Sequence, residues 1–282
     1  MISAARRILD AAVILAPAVS AAQTWRTLDA SRQLRDTVSP LTVRVEYGAG
    51  RVTLGPAAPS VLYELGLRYD ADRAEPMTQF DAAAHSLVLG LASRGVRMGG
   101  SDSESGSLRA ALSTRVPMDL ALELGAVEGD ADLSGLRLRS LSLKTGAADV
   151  SLRFSRANPE RMRDMVLNVG AAKLLVAGGS FAGADRINAT VAAGVLDLDL
   201  SGTLEHDVEL SVNMAVGHCT IRLSRETAVS IEATTFLADF DKAGLEKRAD
   251  GWYSPGFEQA SRHLRIHLRA FVGGCTLSRN SA

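Results

Sequence analysis

Leu122-Glu123-Leu124-Gly125-Ala126, Leu143-Lys144-Thr145-Gly146-Ala147 and Leu167-Asn168-Val169-Gly170-Ala171 set out one pattern three times within 50 residues. Each unit reads aliphatic-x-aliphatic, then a small-residue turn, then aliphatic-x-aliphatic. The turn glycines Gly125, Gly146 and Gly170 fall 21 and 24 residues apart. A period of two places the aliphatic side chains on one face of a strand and the polar ones on the other. Gly and Ala suit the corners, because Gly takes positive φ freely and Ala lets neighbouring chains approach.

The pattern extends in both directions. Upstream lies Val43-Arg44-Val45-Glu46-Tyr47-Gly48-Ala49-Gly50-Arg51-Val52-Thr53-Leu54; downstream come Val191-Ala192-Ala193-Gly194, Met214-Ala215-Val216-Gly217 and Ala270-Phe271-Val272-Gly273. Leu196, Leu198 and Leu200 alternate with Asp197 and Asp199, and Val208, Leu210, Val212 and Met214 alternate with polar residues. Helical periodicity is scarce; one helical turn is predicted over Asn158 to Met165, with Pro159 at a first helical position. A repeat near 22 residues without a helix predicts an all-β fold of stacked short-strand repeats, β-solenoid-like, with rungs about 4.8 Å apart. The rival architecture is a two-sheet sandwich, which also shows short alternating strands; the constant phase of the Gly-Ala turns favours the solenoid.

Composition shifts divide the chain. Residues 1–22 read as a signal peptide: Arg6 and Arg7 supply positive charge, Ile8 to Ala18 is mostly apolar, and Val19-Ser20-Ala21-Ala22 offers small residues for cleavage. Asp10 interrupts the apolar run, and an amphipathic N-terminal helix is the alternative. Residues 34–96 form a smaller N-terminal β section. Residues 97–108, with Gly99-Gly100-Ser101-Asp102-Ser103-Glu104-Ser105-Gly106, read as a linker or long loop, and residues 109–282 as the repeat domain. No stretch reaches the roughly 20 apolar residues of a membrane-spanning helix, so no transmembrane segment is expected in the mature chain. The formal net charge of -1 argues against nucleic acid as a partner, which calls for a basic face.

These units and their surroundings resemble the toast-rack family of bacterial envelope proteins, related to cell-wall-active-antibiotic response proteins and proposed adhesins. The likeness rests on Val116-Pro117-Met118-Asp119-Leu120 before the first Gly-Ala turn and on Leu136-Arg137-Leu138-Arg139-Ser140-Leu141 before Gly146-Ala147. Gly194-Val195-Leu196-Asp197-Leu198-Asp199-Leu200-Ser201-Gly202 and Leu264-Arg265-Ile266-His267-Leu268 extend it. The stretch from Val43 to Leu54 looks like the N-terminal domain that often precedes such repeats. The resemblance implies a stacked β fold and an envelope location, and it carries over no catalytic residues.

Chemistry is sparse. Gly178-Gly179-Ser180-Phe181-Ala182 loosely matches a nucleophile elbow but lacks the strand-to-helix context that an elbow needs. His263 and His267 have the spacing of metal ligands on a helix, yet their segment alternates like a strand. Three aspartate pairs (Asp130 and Asp132, Asp197 and Asp199, Asp239 and Asp241) point outward two by two. If aligned on neighbouring rungs they would bind a cation or support acid-base work on a polysaccharide; otherwise they are the charges an outer strand face needs. No catalytic, metal or cofactor residue is therefore assigned.

Two features stand as candidate sites. Trp252, Tyr253 and Phe257 form an aromatic loop, either an interaction edge or a cap over the end of the stack. Cys219 and Cys275, the two cysteines of the chain, sit in matching Gly-containing turns and form either a disulfide or two buried thiols. The expected function is an exported, non-catalytic envelope protein of periplasm or cell surface. It would bind an envelope protein or cell-wall component, possible roles being stress sensing or adhesion. The alternatives are a polysaccharide-active enzyme on a β-helix and a self-assembling scaffold.

Overall fold

A computed structural model describes residues 24–35, 39–93, 106–242 and 244–280. The expected signal peptide, 1–22, and most of the expected linker, 97–105, lie outside the described residues. The strands are β1 (Trp25–Gln33), β2 (Leu41–Pro56), β3 (Val61–Asp70), β4 (Ala74–Asp81), β5 (Ser86–Ser93), β6 (Ser107–Leu112), β7 (Pro117–Asp132) and β8 (Arg137–Thr145). There follow β9 (Asp149–Arg153), β10 (Met162–Ala177), β11 (Ala184–Leu200), β12 (Val208–Ser224), β13 (Ala228–Asp241), β14 (Glu246–Lys247), β15 (Trp252–Tyr253) and β16 (His263–Asn280). All sixteen join one sheet, which gives the all-β, stacked-repeat class read from the sequence.

Each long strand is a two-armed rung. In β12, Val208, Leu210, Val212 and Met214 are buried, Ala215 and Val216 are exposed, and burial resumes at Cys219, Ile221 and Leu223. The inward phase moves from even to odd numbers across the corner. A bend there turns both arms toward one interior, so the aliphatic-x-aliphatic runs on either side of each turn are the two walls of one core. β7 and β10 repeat this phase change at Gly125-Ala126 and Gly170-Ala171.

Rungs stack in parallel register. Leu122 pairs with Leu143, Leu143 with Leu167, Leu167 with Ala189, and Ala189 with Val212, offsets of 21, 24, 22 and 23 residues. Equivalent side chains therefore form continuous columns. Fully burying a Leu or Val contributes about 1.5–3 kcal/mol, and each column repeats that gain at every rung. The outer faces pair charges across rungs: Arg186 with Asp164 at 2.7 Å, Arg161 with Asp185 at 2.9 Å, and Arg44 with Glu123 at 2.9 Å.

The corners permit this spacing because the turn glycines carry no Cβ. Gly217 (φ 142°) and Gly273 (φ 122°) lie in conformations that L side chains rarely adopt. A Cβ on Gly217 would sit 1.9 Å from the carbonyl oxygen of Gly194, and one on Gly273 would sit 1.8 Å from that of Gly217.

Stacking follows chain order from β7 to β12 and then departs from it. The spatial order is β12-β16-β13, so the C-terminal strand slides between β12 and the rung that follows it in sequence. At the other end β2 pairs along its length with β7, while its opposite edge takes β5 on the first arm and β6 on the second. β1, β3 and β6 close that end as antiparallel strands. β1 begins ahead of residue 34, and β6 begins within 97–108. The backbone hydrogen bonding thus runs continuously across the segment boundaries expected from composition.

The helical turn predicted over Asn158 to Met165 does not form, because β10 begins at Met162. Asn158 instead works as a bridge. Its Oδ1 accepts from the Leu138 N–H at 3.0 Å, and its Nδ2 donates to the carbonyls of Leu138 and Ala182 at 2.7 and 3.0 Å. Pairing across rungs satisfies more polar atoms here than one helical turn.

Candidate interaction surface

Among the described residues the exposed large hydrophobic side chains are Phe181, Val195, Val216, Phe236, Leu237, Phe271 and Val272. All but Phe181 sit on the solenoid corner at or next to the glycine turns. Register explains the clustering: Ala193 pairs with Val216, Val216 with Val272, and Val272 with Leu237, making one column on four successive strands. One position earlier, Ala215, Phe271 and Phe236 form a second column. The Phe236 and Phe271 rings stack with centroids 5.0 Å apart at 28°.

The ridge grows toward the C-terminal end of the stack, from Ala to Val to Leu in one column and from Ala to Phe in the other. Phe236 and Leu237 are 68% and 67% exposed and Phe271 61%. Single exposed apolar residues are ordinary, whereas a contiguous patch marks a binding surface. Carboxylates of Glu232, Asp239 and Asp241 share β13 with it, and Arg269 lies across from Thr234 on β16.

The aromatic loop lies elsewhere. Trp252 and Tyr253 form β15, which pairs antiparallel with Ile231 and Ser230 at the start of β13. Trp252 is half-buried against the core, with the Lys242 ammonium 4.4 Å from its ring centroid. Phe257 is buried and meets Tyr253 edge-on at 5.1 Å. This geometry lays the loop against the first arm of the terminal rung, while Phe236 and Leu237 on its corner remain exposed. The ridge was missed in the sequence because outward positions carry no periodic signal. The one cue was Phe271 standing where the aligned turn at Gly217 has Ala215.

The other candidates stay apart. The three aspartate pairs occupy β7, β11 and β13, each separated from the next by two intervening strand positions in the stack. Asp197 is bound by Arg222, Asp130 lies 3.7 Å from Arg153, and Asp199 accepts the Ser201 N–H at 3.0 Å. His263 contacts Asp207 at 3.4 Å, while His267 lies between Glu209 at 3.8 Å and Glu232 at 3.3 Å. Among the described residues no group of three or more His, Cys, Asp or Glu side chains is arranged to hold a metal ion. The groove lined by Ser201, Thr203, Thr227 and Arg262 has Glu226 as its carboxylate and takes in none of the aspartate pairs. Ser180 lies in a 3-10 turn, Gly179–Ala182, between strands. Cys219 and Cys275, by contrast, are brought together as direct register partners, both buried as free thiols. No described helix is long and apolar enough to cross a membrane.

Solved structures similar to this chain include a proposed cell adhesion protein from Clostridium sporogenes, at 14% identity and TM-score 0.45 over 90% of this chain and 100% of that one. A proposed adhesin from Bacteroides fragilis matches at 8% identity and TM-score 0.41 over 89% of this chain and 97% of that one. A proposed lipid binding protein from Parabacteroides distasonis matches at 8% identity and TM-score 0.29, over 91% and 95%. Comparison with curated proteins gives no match. The family model for the N-terminal domain of toast_rack matches residues 23–180, more than half of the sequence and all of the stack from β1 to β10, and the chain belongs to the toast-rack family.

Proposed function

We propose that this chain is an exported, non-catalytic binding module of the bacterial envelope, whose contact surface is the corner ridge built from Val216, Val272, Leu237, Phe271 and Phe236. The ridge carries the reading. These five large apolar side chains gather exposed on one corner and lie outside the core cluster, and covering them is favourable by about 25 cal/mol per Å². Aromatic anchors of this kind dominate protein interfaces. The acidic residues of β13 favour a partner whose apolar centre is rimmed by basic groups. Arg6, Arg7 and the apolar run that follows support export, in line with an envelope partner, protein or wall component, and with stress sensing or adhesion as the role. Trp252, Tyr253 and Phe257 serve this surface by anchoring the start of β13.

The test is photo-crosslinking in the native cell from probes placed at Ala215 and Thr235, exposed positions beside the ridge. A reproducible envelope partner is expected, and the double change Phe236→Ser with Phe271→Ser should abolish its capture. Capture unchanged by that double change would remove the ridge as the contact surface. A second reading, end-to-end assembly, draws on one observation: from Glu232 onward the outer edge of β13 has no strand partner among the described residues. Sedimentation that shifts with concentration would favour it over a separate partner.

A further inference from the structure

We propose that Cys219 and Cys275 form a disulfide that locks the C-terminal strand β16 into its slot between β12 and β13. The chain has two cysteines, 56 positions apart, and the fold sets them directly opposite each other on adjacent strands. They replace larger residues within one interior column. Leu174 pairs with Leu196, Leu196 with Cys219, Cys219 with Cys275, and Cys275 with Phe240. A column of large apolar side chains thus narrows to two sulfurs on neighbouring rungs. Neighbouring strands lie about 4.8 Å apart, inside the Cα separation of about 4.4–6.8 Å that a disulfide spans.

The position gives the bond a task. β16 is the strand placed out of chain order, and the segment between the cysteines contains all of β13, β14 and β15. A link from β12 to β16 closes that excursion and holds Phe271 beside Phe236. The thiols are buried, and hydrogen bonding to Cys275 followed by burial pushes the Cys219 thiol pKa well up, so the folded dithiol reacts slowly. Oxidation therefore belongs to folding, before the rung closes. One protein thiolate attacks a disulfide oxidant such as oxidised glutathione, giving a mixed disulfide and one glutathione thiolate. The second protein thiolate displaces the other glutathione. Two protein thiols are oxidised, one oxidant disulfide becomes two glutathione thiols, and the protein protons pass to the departing thiolates.

The inference rests on export in assuming an oxidising compartment, so the test has two arms. The reduced, denatured full chain is refolded in a glutathione redox buffer, unfolded with an alkylating agent present, and its free thiols are counted by mass. No free thiol is expected, and the reductant dithiothreitol should lower the thermal midpoint by about 5–10 °C. It should leave the midpoint of the double variant Cys219→Ala with Cys275→Ala unchanged. Two titratable thiols in natively refolded protein would overturn the proposal, as would a midpoint indifferent to reductant. The second arm counts thiols in protein trapped from its own cells. Bridged cysteines there support the proposal; free thiols there beside ready bridging in vitro support the pairing and overturn export instead.

Discussion

Replacing Gly217 by Ala should destabilise the solenoid by about 3–5 kcal/mol. The new Cβ would lie 1.9 Å from the Gly194 carbonyl oxygen, where a relaxed contact needs about 3.3 Å, and the obstacle is backbone that no rotamer change can clear. At φ 142°, Ala also occupies a region close to Gly-only, at a cost of about 1–3 kcal/mol. Relief by parting the rungs would stretch inter-rung hydrogen bonds worth about 0.5–1.5 kcal/mol each. Gly48→Ala is the matched control: it lies at an equivalent corner, outside the positive-φ set, with nothing within 4 Å of its Cβ. That change should fall within about 0.5 kcal/mol of wild type. Urea unfolding followed by far-UV circular dichroism reads both variants. A Gly217→Ala protein as stable as Gly48→Ala would refute the view that bare backbone at the corner sets the rung spacing.

Further outcomes follow from individual groups. Asn158→Ala should cost about 2–3 kcal/mol, because it leaves the backbone of Leu138 and the Ala182 carbonyl short of partners; equilibrium unfolding measures it. Tyr47 is buried, its hydroxyl has no partner among the described residues, and burial pushes its pKa up to about 12. Since the unfolded phenol ionises near 10, stability present below pH 10 should decline between about pH 10 and 12, and Tyr47→Phe should flatten that decline. Asp207 accepts the His263 N–H and an Arg265 hydrogen bond, and Asp164 is held by Arg186; both carboxyl pKa values are lowered. The unfolded chain therefore binds protons first, and stability should hold down to about pH 4 and fall below it, less steeply in Asp207→Asn. Phe236→Ser should change stability by no more than about 0.5 kcal/mol, given its exposure, while losing partner capture.

The sequence alone determined the all-β class, the repeat length and the identity of the core. Period-two alternation and the spacing of the Gly-Ala turns are local properties, and a parallel stack converts them directly into columns. The C-terminal turns change neighbours, because β16 enters the stack out of chain order between β12 and β13. Strand insertion is invisible to periodicity: β12, β13 and β16 carry the same kind of pattern whichever order they adopt. Asn158 shows the same limit at one residue, since its polar atoms are matched by backbone 20 and 24 positions away.

Tertiary structure decided the candidate sites for the same reason. Trp252, Tyr253 and Phe257 stand out in a sequence poor in aromatics, yet their placement follows from what β15 pairs with. Phe236, Leu237 and Phe271 look unremarkable along the chain and become a surface only when β16 sets residue 271 beside residue 236. The two cysteines are 56 positions apart until that same insertion makes them neighbours. Local pattern settles which face of a strand is apolar, but the partner across each rung is a long-range choice. In this protein every candidate site depends on that choice.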